Sequence, residues 1–195
     1  MAETPTTELQ AVNTILGTIG EASINTLAGT LPADVANAQA LLLEVSRDVQ
    51  SVGREFNSEK EVSLAIDGDS KIPIATNVLK IDVSDIDAGY NMDVTQRGGF
   101  LYNKATHSFT FSGPLRCDVV YFLPFTDLPE AARRYITIKA ARLFQARYLG
   151  STTLGSFTAQ EEMDAKWKME EAENENADYT IFDNYSVGRI IYRRH

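Results

Sequence analysis

The apolar positions change period twice along the chain, dividing it into a helical stretch, a strand-rich stretch and a second helical stretch. Leu9, Val12, Ile15, Leu16 and Ile19 recur at helical spacing, and Gly20 closes the segment. Thr7 and Gln10 stand three apart at its start, where hydroxyl and side-chain amide can satisfy each other's free backbone N–H groups. A longer helix is expected from Pro32, which suits a first turn, to Gly53. Its stripe is Val35, Ala38, Leu42, Val45, Val49 and Val52. Ala36, Ala40, Leu41 and Leu43 widen that stripe, so this helix should touch neighbours on two sides.

Between about Val62 and Leu123 the period is two. Val62, Leu64 and Ile66 alternate, and an Asp67-Gly68-Asp69 turn precedes Ile72 and Ile74. Leu79, Ile81 and Val83 alternate next, followed by Phe100 to Tyr102, Ser108 to Phe111 and Leu115 to Leu123. Asn103 to His107 and Ser112-Gly113-Pro114 read as turns.

Helical spacing returns at Asp127, where an Asp cap, Pro129 and Glu130 coincide. The third helix carries Ala132, Tyr135, Ile136, Leu143, Phe144, Tyr148 and Leu149 down to Gly150. A fourth opens on the capping box Thr158 to Glu161, with Glu162–Lys166 and Asp164–Lys168 at favourable spacing. Its apolar face, chiefly Met163, Trp167, Met169 and Ala172, is thin. The pattern stops beyond Ala177. The expected fold is α+β: a four-helix portion, an inserted and mostly antiparallel β-subdomain, and a C-terminal arm. The parts are residues 1–58 (N-terminal helices), 59–125 (β-subdomain), 126–177 (C-terminal helices packing with the N-terminal pair) and 178–195 (the arm).

Composition narrows the function classes. At 195 residues the chain has enough length for one good core or two small linked ones. No window approaches the roughly 18 consecutive apolar residues of a membrane span, and no secretory signal is visible, so no membrane insertion is expected. The single cysteine, Cys117, excludes an internal disulfide and multi-cysteine metal sites, and fits assembly in a reducing cytoplasm. The net charge of −9 argues against tight binding of nucleic-acid backbones.

Catalytic handles are few. His107 lies in a turn and His195 is the last residue, and neither stands in a triad-like pattern. Asp67, Asp69, Asp82, Asp85 and Asp87 could supply the paired carboxylates of a glycoside hydrolase, but their Gly and Ser neighbours read as solvated turns. A calcium loop starting at Asp67 fails at its twelfth position, Val78, and the run Gly150 to Ser156 lacks the lysine of a phosphate-binding loop. No catalytic residue, metal site or cofactor is therefore expected. The third helix carries Arg133, Arg134, Lys139, Arg142 and Arg147, and the fourth Glu161, Glu162, Asp164, Glu170, Glu171 and Glu173. Opposite charges on two such helices should attract each other or a neighbouring subunit.

The arm from Asp178 to His195 has neither helical nor strand period. Tyr179, Ile181, Phe182, Tyr185, Ile190, Ile191 and Tyr192 are too apolar to stay solvated, a pattern that orders by laying aromatic anchors into a partner's grooves. Arg189, Arg193 and Arg194 would pair with acids beside those grooves. The candidate partner-binding residues are thus Tyr179, Ile181, Phe182, Tyr185, Arg189, Ile190, Tyr192, Arg193 and Arg194; the alternative is an arm folded back on its own sheet.

Several runs resemble the tail tubular protein A family of T7-like short-tailed phages: Ala11 to Glu21, Asp34 to Gln39 with Val49 to Gly53, and Arg97 to Tyr102. Leu128 to Tyr135, Lys139 to Phe144 and Phe157 to Glu173 continue the resemblance in the same order. It implies a structural subunit of the virion tail, one of twelve in an adaptor or gatekeeper ring between the portal protein and the nozzle (tail tubular protein B). Tail fibre protein attaches around that junction, and DNA passes through the channel during ejection without specific binding. The resemblance brings no catalytic residues. A virion-associated glycan hydrolase using the Asp-rich turns is the alternative from another class, and a scaffold that leaves the finished particle is a third.

Overall fold

The computed structural model describes residues 4–84, 92–149 and 159–176. These form helices α1 (Glu8–Gly17), α2 (Ala33–Ser51), α3 (Glu130–Leu149) and α4 (Ala159–Asn176). Strands β1 (Ser58–Leu64), β2 (Val78–Val83), β3 (Val94–Arg97), β4 (Phe100–Asn103) and β5 (Leu115–Tyr121) lie between α2 and α3. The fold is α+β, with every strand pair antiparallel.

The two ends of α1 follow from local chemistry. The Thr7 hydroxyl accepts from the Gln10 N–H at 3.2 Å, and Gln10 Oε1 accepts from the Thr7 N–H at 2.8 Å. At the other end Gly20, at φ +79°, donates to Gly17 O while Glu21 N donates to Leu16 O. That paired closure needs a left-handed residue, which glycine adopts without strain. In α2, Val35, Ala38, Leu42, Val45 and Val49 are buried as their spacing predicts, with Leu41 beside them. Pro32 caps the helix from just outside its first turn. Val52 departs from the expected stripe and is 68% exposed, because the chain turns away from the helix axis at Gly53.

α3 is the central helix. Ala132, Tyr135, Ile136, Ile138, Ala140, Ala141 and Phe144 bury it around most of its circumference. α1 and α2 pack on it together, and α4 packs on it separately. α4 buries Ala165 and Met169; Met163 and Trp167, read from the sequence as its packing face, point to solvent. Ala165 was hidden from that reading by its small size, yet it permits the close approach to α3.

The strand-rich stretch has its own core of Ile72, Ile74, Ile81, Val83, Val94, Leu101, Leu115, Cys117 and Val119. Its larger sheet runs β1-β5-β2, and β3 and β4 make a separate ribbon. Two expectations change here. Ser108 to Phe111 is no strand: the Ser108 hydroxyl engages the Thr110 hydroxyl and N–H, a local bond that competes with a ladder. β3 gives no alternating apolar signal, since only Val94 is buried on it and half-exposed or exposed polar residues fill the rest. Ile72 and Ile74 are buried as expected, held by isolated bridges at Lys71 and Pro73 rather than in a strand.

Two side-chain amides join the helical core to the sheet. Gln50, 0% exposed near the end of α2, receives the Leu123 N–H at 2.8 Å and donates to Leu123 O at 3.1 Å and Ser46 Oγ at 3.0 Å. Asn57 donates to Gln50 O at 3.0 Å and Tyr121 O at 2.7 Å, and accepts from the Arg54 N–H at 2.7 Å. Gly53 lies between them at φ +84°, and a Cβ there would stand 3.1 Å from Val120 Cγ2. A second polar clamp holds the N-terminal segment. Buried Arg133 donates to the carbonyls of Thr6, Thr126 and Leu128, while Thr6 donates through its N–H and hydroxyl to Glu130.

α4 is tied down by Arg142, which pairs with Glu162, and by Arg54, whose Nη1 lies 3.1 Å from Glu173 and 3.7 Å from Glu170. Glu173 borders a small apolar cavity of about 70 Å³ beside Phe56, Pro129 and Met169, and its Oε1 is buried without a partner. Desolvation pushes the Glu173 carboxyl above its ordinary value, more than the facing Arg54 lowers it.

Gln50→Leu strands both backbone groups of Leu123. At about 1–3 kcal/mol for each buried group left unpaired, it should cost about 2–6 kcal/mol by urea unfolding. Gln39→Leu, which removes a bond to Glu8 near the surface, should cost under about 1 kcal/mol in the same assay.

Because the folded carboxyl of Glu173 titrates higher than the unfolded one, the folded state binds the extra proton. The stability this confers is present below the unfolded value and is lost as pH rises through the folded one. Wild type should therefore lose stability relative to Glu173→Gln as pH rises through and above the ordinary carboxylate range, measured as unfolding midpoints against pH. A constant difference between the two proteins would contradict that assignment.

Candidate assembly surfaces

Among the described residues, those that chemistry singles out in the sequence lie apart from one another. His107 is exposed in a turn at φ +54°, with its Nδ1 3.4 Å from the Tyr102 hydroxyl. Asp67 spends Oδ1 on the N–H groups of Asp69 and Lys71, both at 2.9 Å, which makes it the organiser of its turn. Asp82 is exposed and accepts from the Val83 N–H. Among the described residues no group of three or more His, Cys, Asp or Glu side chains could hold a metal ion, and no helix is long and apolar enough to cross a membrane. Asp85, Asp87, His195 and the Gly150–Ser156 run lie outside the described residues. So do all the candidate arm residues, Tyr179, Ile181, Phe182, Tyr185, Arg189, Ile190, Tyr192, Arg193 and Arg194.

The expected attraction between α3 and α4 is real but narrow. Of the basic residues of α3, Arg142 reaches α4, at Glu162. Lys139 and Arg147 turn the other way and pair with Asp48 and Glu44 of α2, at 2.6 and 3.2 Å. Arg133 is occupied by carbonyls. Within α4, Glu162 is thereby drawn from its expected partner, Lys166 reaches Glu170 instead, and Asp164 accepts from Gln160.

Two exposed apolar surfaces stand out among the described residues. On α4, Met163, Trp167, Glu171 and Glu175 follow one another at steps of four, so they form a single outward ridge. Met163 is 54% and Trp167 70% exposed. On α2, Ala36, Ala40, Leu43 and Arg47 likewise share an exposed face, with Leu43 47% exposed. Leu43 forms one wall of a groove of about 170 Å³ completed by Leu42, Ser46, Phe122, Pro124, Phe125 and Glu8. Arg47 lies over the Phe122 ring, 5.6 Å from its centre. Sequence reading found the extra apolar width of α2 but not the groove, whose far wall comes from the chain leaving β5.

A family model described as Tube, tail tubular protein, matches residues 9–179. Over 130 residues the chain is 32% identical to a protein named tail tubular protein A from Klebsiella phage KP34. That stretch spans 66% of this chain and 66% of the relative, just under two thirds of the relative's length. The match runs across both helical portions and the strand-rich stretch between them, and the fold carries exposed apolar surface on α2 and α4. The chain belongs to the tail tubular protein family, a family of structural proteins of the phage tail.

Proposed function

We propose that this protein is the adaptor subunit of a short-tailed phage, forming a twelve-subunit ring between the portal protein and the nozzle, tail tubular protein B. The ring is part of the DNA ejection conduit and the attachment site of the tail fibre protein, and it is put together in the host cytoplasm. Its role is structural and not enzymatic. The observation that carries this reading is the 32% identity to a tail tubular protein A. The uncovered faces of α2 and α4 support it, since apolar surface rimmed by polar residues marks protein contacts. In this reading residues 1–58 and 126–177 form the helical body, 59–125 an inserted β-subdomain, and 178–195 an arm that lies on the portal or on a neighbouring subunit. A charge of −9 per subunit lets DNA pass without being held.

Native mass spectrometry with purified portal rings should show this protein bound in multiple copies. A protein that stays monomeric and unbound there would remove the adaptor reading. Deleting residues 178–195 should leave the helical circular dichroism and melting temperature nearly unchanged while abolishing stable attachment to portal. Loss of folding would place the arm in the core instead.

Asp67→Asn, Asp69→Asn and Asp82→Asn should leave particle infectivity nearly unchanged, because an asparagine oxygen still accepts the turn's N–H bonds. A specific loss of glycan cleavage with intact assembly would identify a hydrolase.

A further inference from the structure

The two uncovered surfaces lie on separate sides of α3, one on α4 and the other on α2, with α3 packed between those helices. They also differ in kind. The α4 ridge carries an exposed indole, Trp167, with two carboxylates, Glu171 and Glu175, following along the same line. The α2 surface is a groove with an apolar floor and a cation, Arg47, beside it. We propose that these surfaces bind each other between neighbouring copies of this chain, with Trp167 of one copy seated beside Leu43, Phe122 and Pro124 of the next.

Three observations favour a second copy as the occupant. The groove, at about 170 Å³, exceeds the ~150 Å³ of an apolar protein cavity able to take up benzene, so an aromatic ring is a fitting guest. Tryptophan is enriched among the anchors that enter desolvated pockets at interfaces. The charges match as well. Arg47 stacks on Phe122 and has no carboxylate partner among the described residues, and the carboxylates of Glu171 and Glu175 on the ridge likewise have no cation there. Bringing Arg47 against Glu171 at the rim of the contact supplies a charge-assisted hydrogen bond that neither makes within the subunit.

Symmetry then follows from geometry. Because ridge and groove are different patches, the contact joins the head of one copy to the tail of the next. Such a contact repeats, and closes into a ring when the rotation allows. A twofold dimer using both patches would need them on one face, and they lie on separate sides of α3. This inference deepens the adaptor reading and rests on it for closure of the ring.

The test mixes two variants that should keep their fold, since both positions are exposed; circular dichroism checks each. Trp167→Ala keeps the groove and loses the anchor, and Leu43→Glu keeps the anchor and blocks the groove. Under conditions where wild type forms rings, alone or on portal, each variant by itself should assemble at least tenfold more weakly. Mixed one to one, they should form pairs and stop at two by native mass spectrometry. Arg47→Glu should also weaken assembly, and Glu171→Arg should rescue it. If wild type forms rings and both variants do so equally well, the contact lies elsewhere and the ring reading stands. If wild type never oligomerises, even on portal, the ring reading itself fails. Loss of assembly with Trp167→Ala but not with Leu43→Glu would seat the ridge on a different protein, and would overturn the pairing.

Discussion

Two buried amides, on Gln50 and Asn57, set how the helical body and the sheet meet. The helical cluster and the strand cluster are separate sets of apolar residues, so no shared core locks one against the other. Apolar contact alone is also non-directional and would tolerate sliding. Gln50 reads both backbone groups of Leu123, and Asn57 bridges the end of α2 to the end of β5. Hydrogen bonds of that kind accept one register and strand buried groups in any other. Gly53 makes the approach possible, because its left-handed φ and the closeness of Val120 both disfavour a side chain.

The helices were legible where the local signal and the packing agreed. The Thr7–Gln10 reciprocal cap and the buried stripe of α2 are both present as the residues imply. Failures came where tertiary context decides. Val52 continues the helical spacing but falls past the turn at Gly53, and periodicity cannot see a change of chain direction. Trp167 has the hydrophobicity of a core residue, yet the close contact with α3 is made through Ala165 and Met169. β3 shows nearly no alternation, but the Gly98-Gly99 pair that follows it, both at positive φ, is a two-residue hairpin signal that could have revealed it. The arm from 178 to 195 is read as partner-binding from its aromatic and basic residues and its lack of period, and those residues lie outside the described ones.

The charge pattern shows why a helix rich in arginine need not bind nucleic acid. α3 sits between the other helices, and its long basic side chains leave the interface at its edges, where acids of α2 and α4 meet them. Such exposed pairs contribute little to stability, typically under about 1 kcal/mol each. Their consequence is orientation, because Lys139 and Arg147 fix the face of α2 that turns inward and so the face that turns out. Arg133 differs from them: buried against three carbonyls, it holds the N-terminal segment to the start of α3.

A tail subunit has to remain soluble as a free chain and still associate when its partners are present. Net charge far from zero keeps free copies apart. Against that repulsion, a broad apolar face would aggregate indiscriminately, whereas a single aromatic anchor among carboxylates and a narrow groove beside an arginine attract only when brought into register. The arrangement on α2 and α4 is of the second kind. Most of the apolar residues of α1 and α3 are spent inside the subunit, and the surplus on α2 and α4 is confined to two small patches on separate sides of α3. Among the described residues the fold is therefore complete in its core, and these two patches stand open to a partner surface.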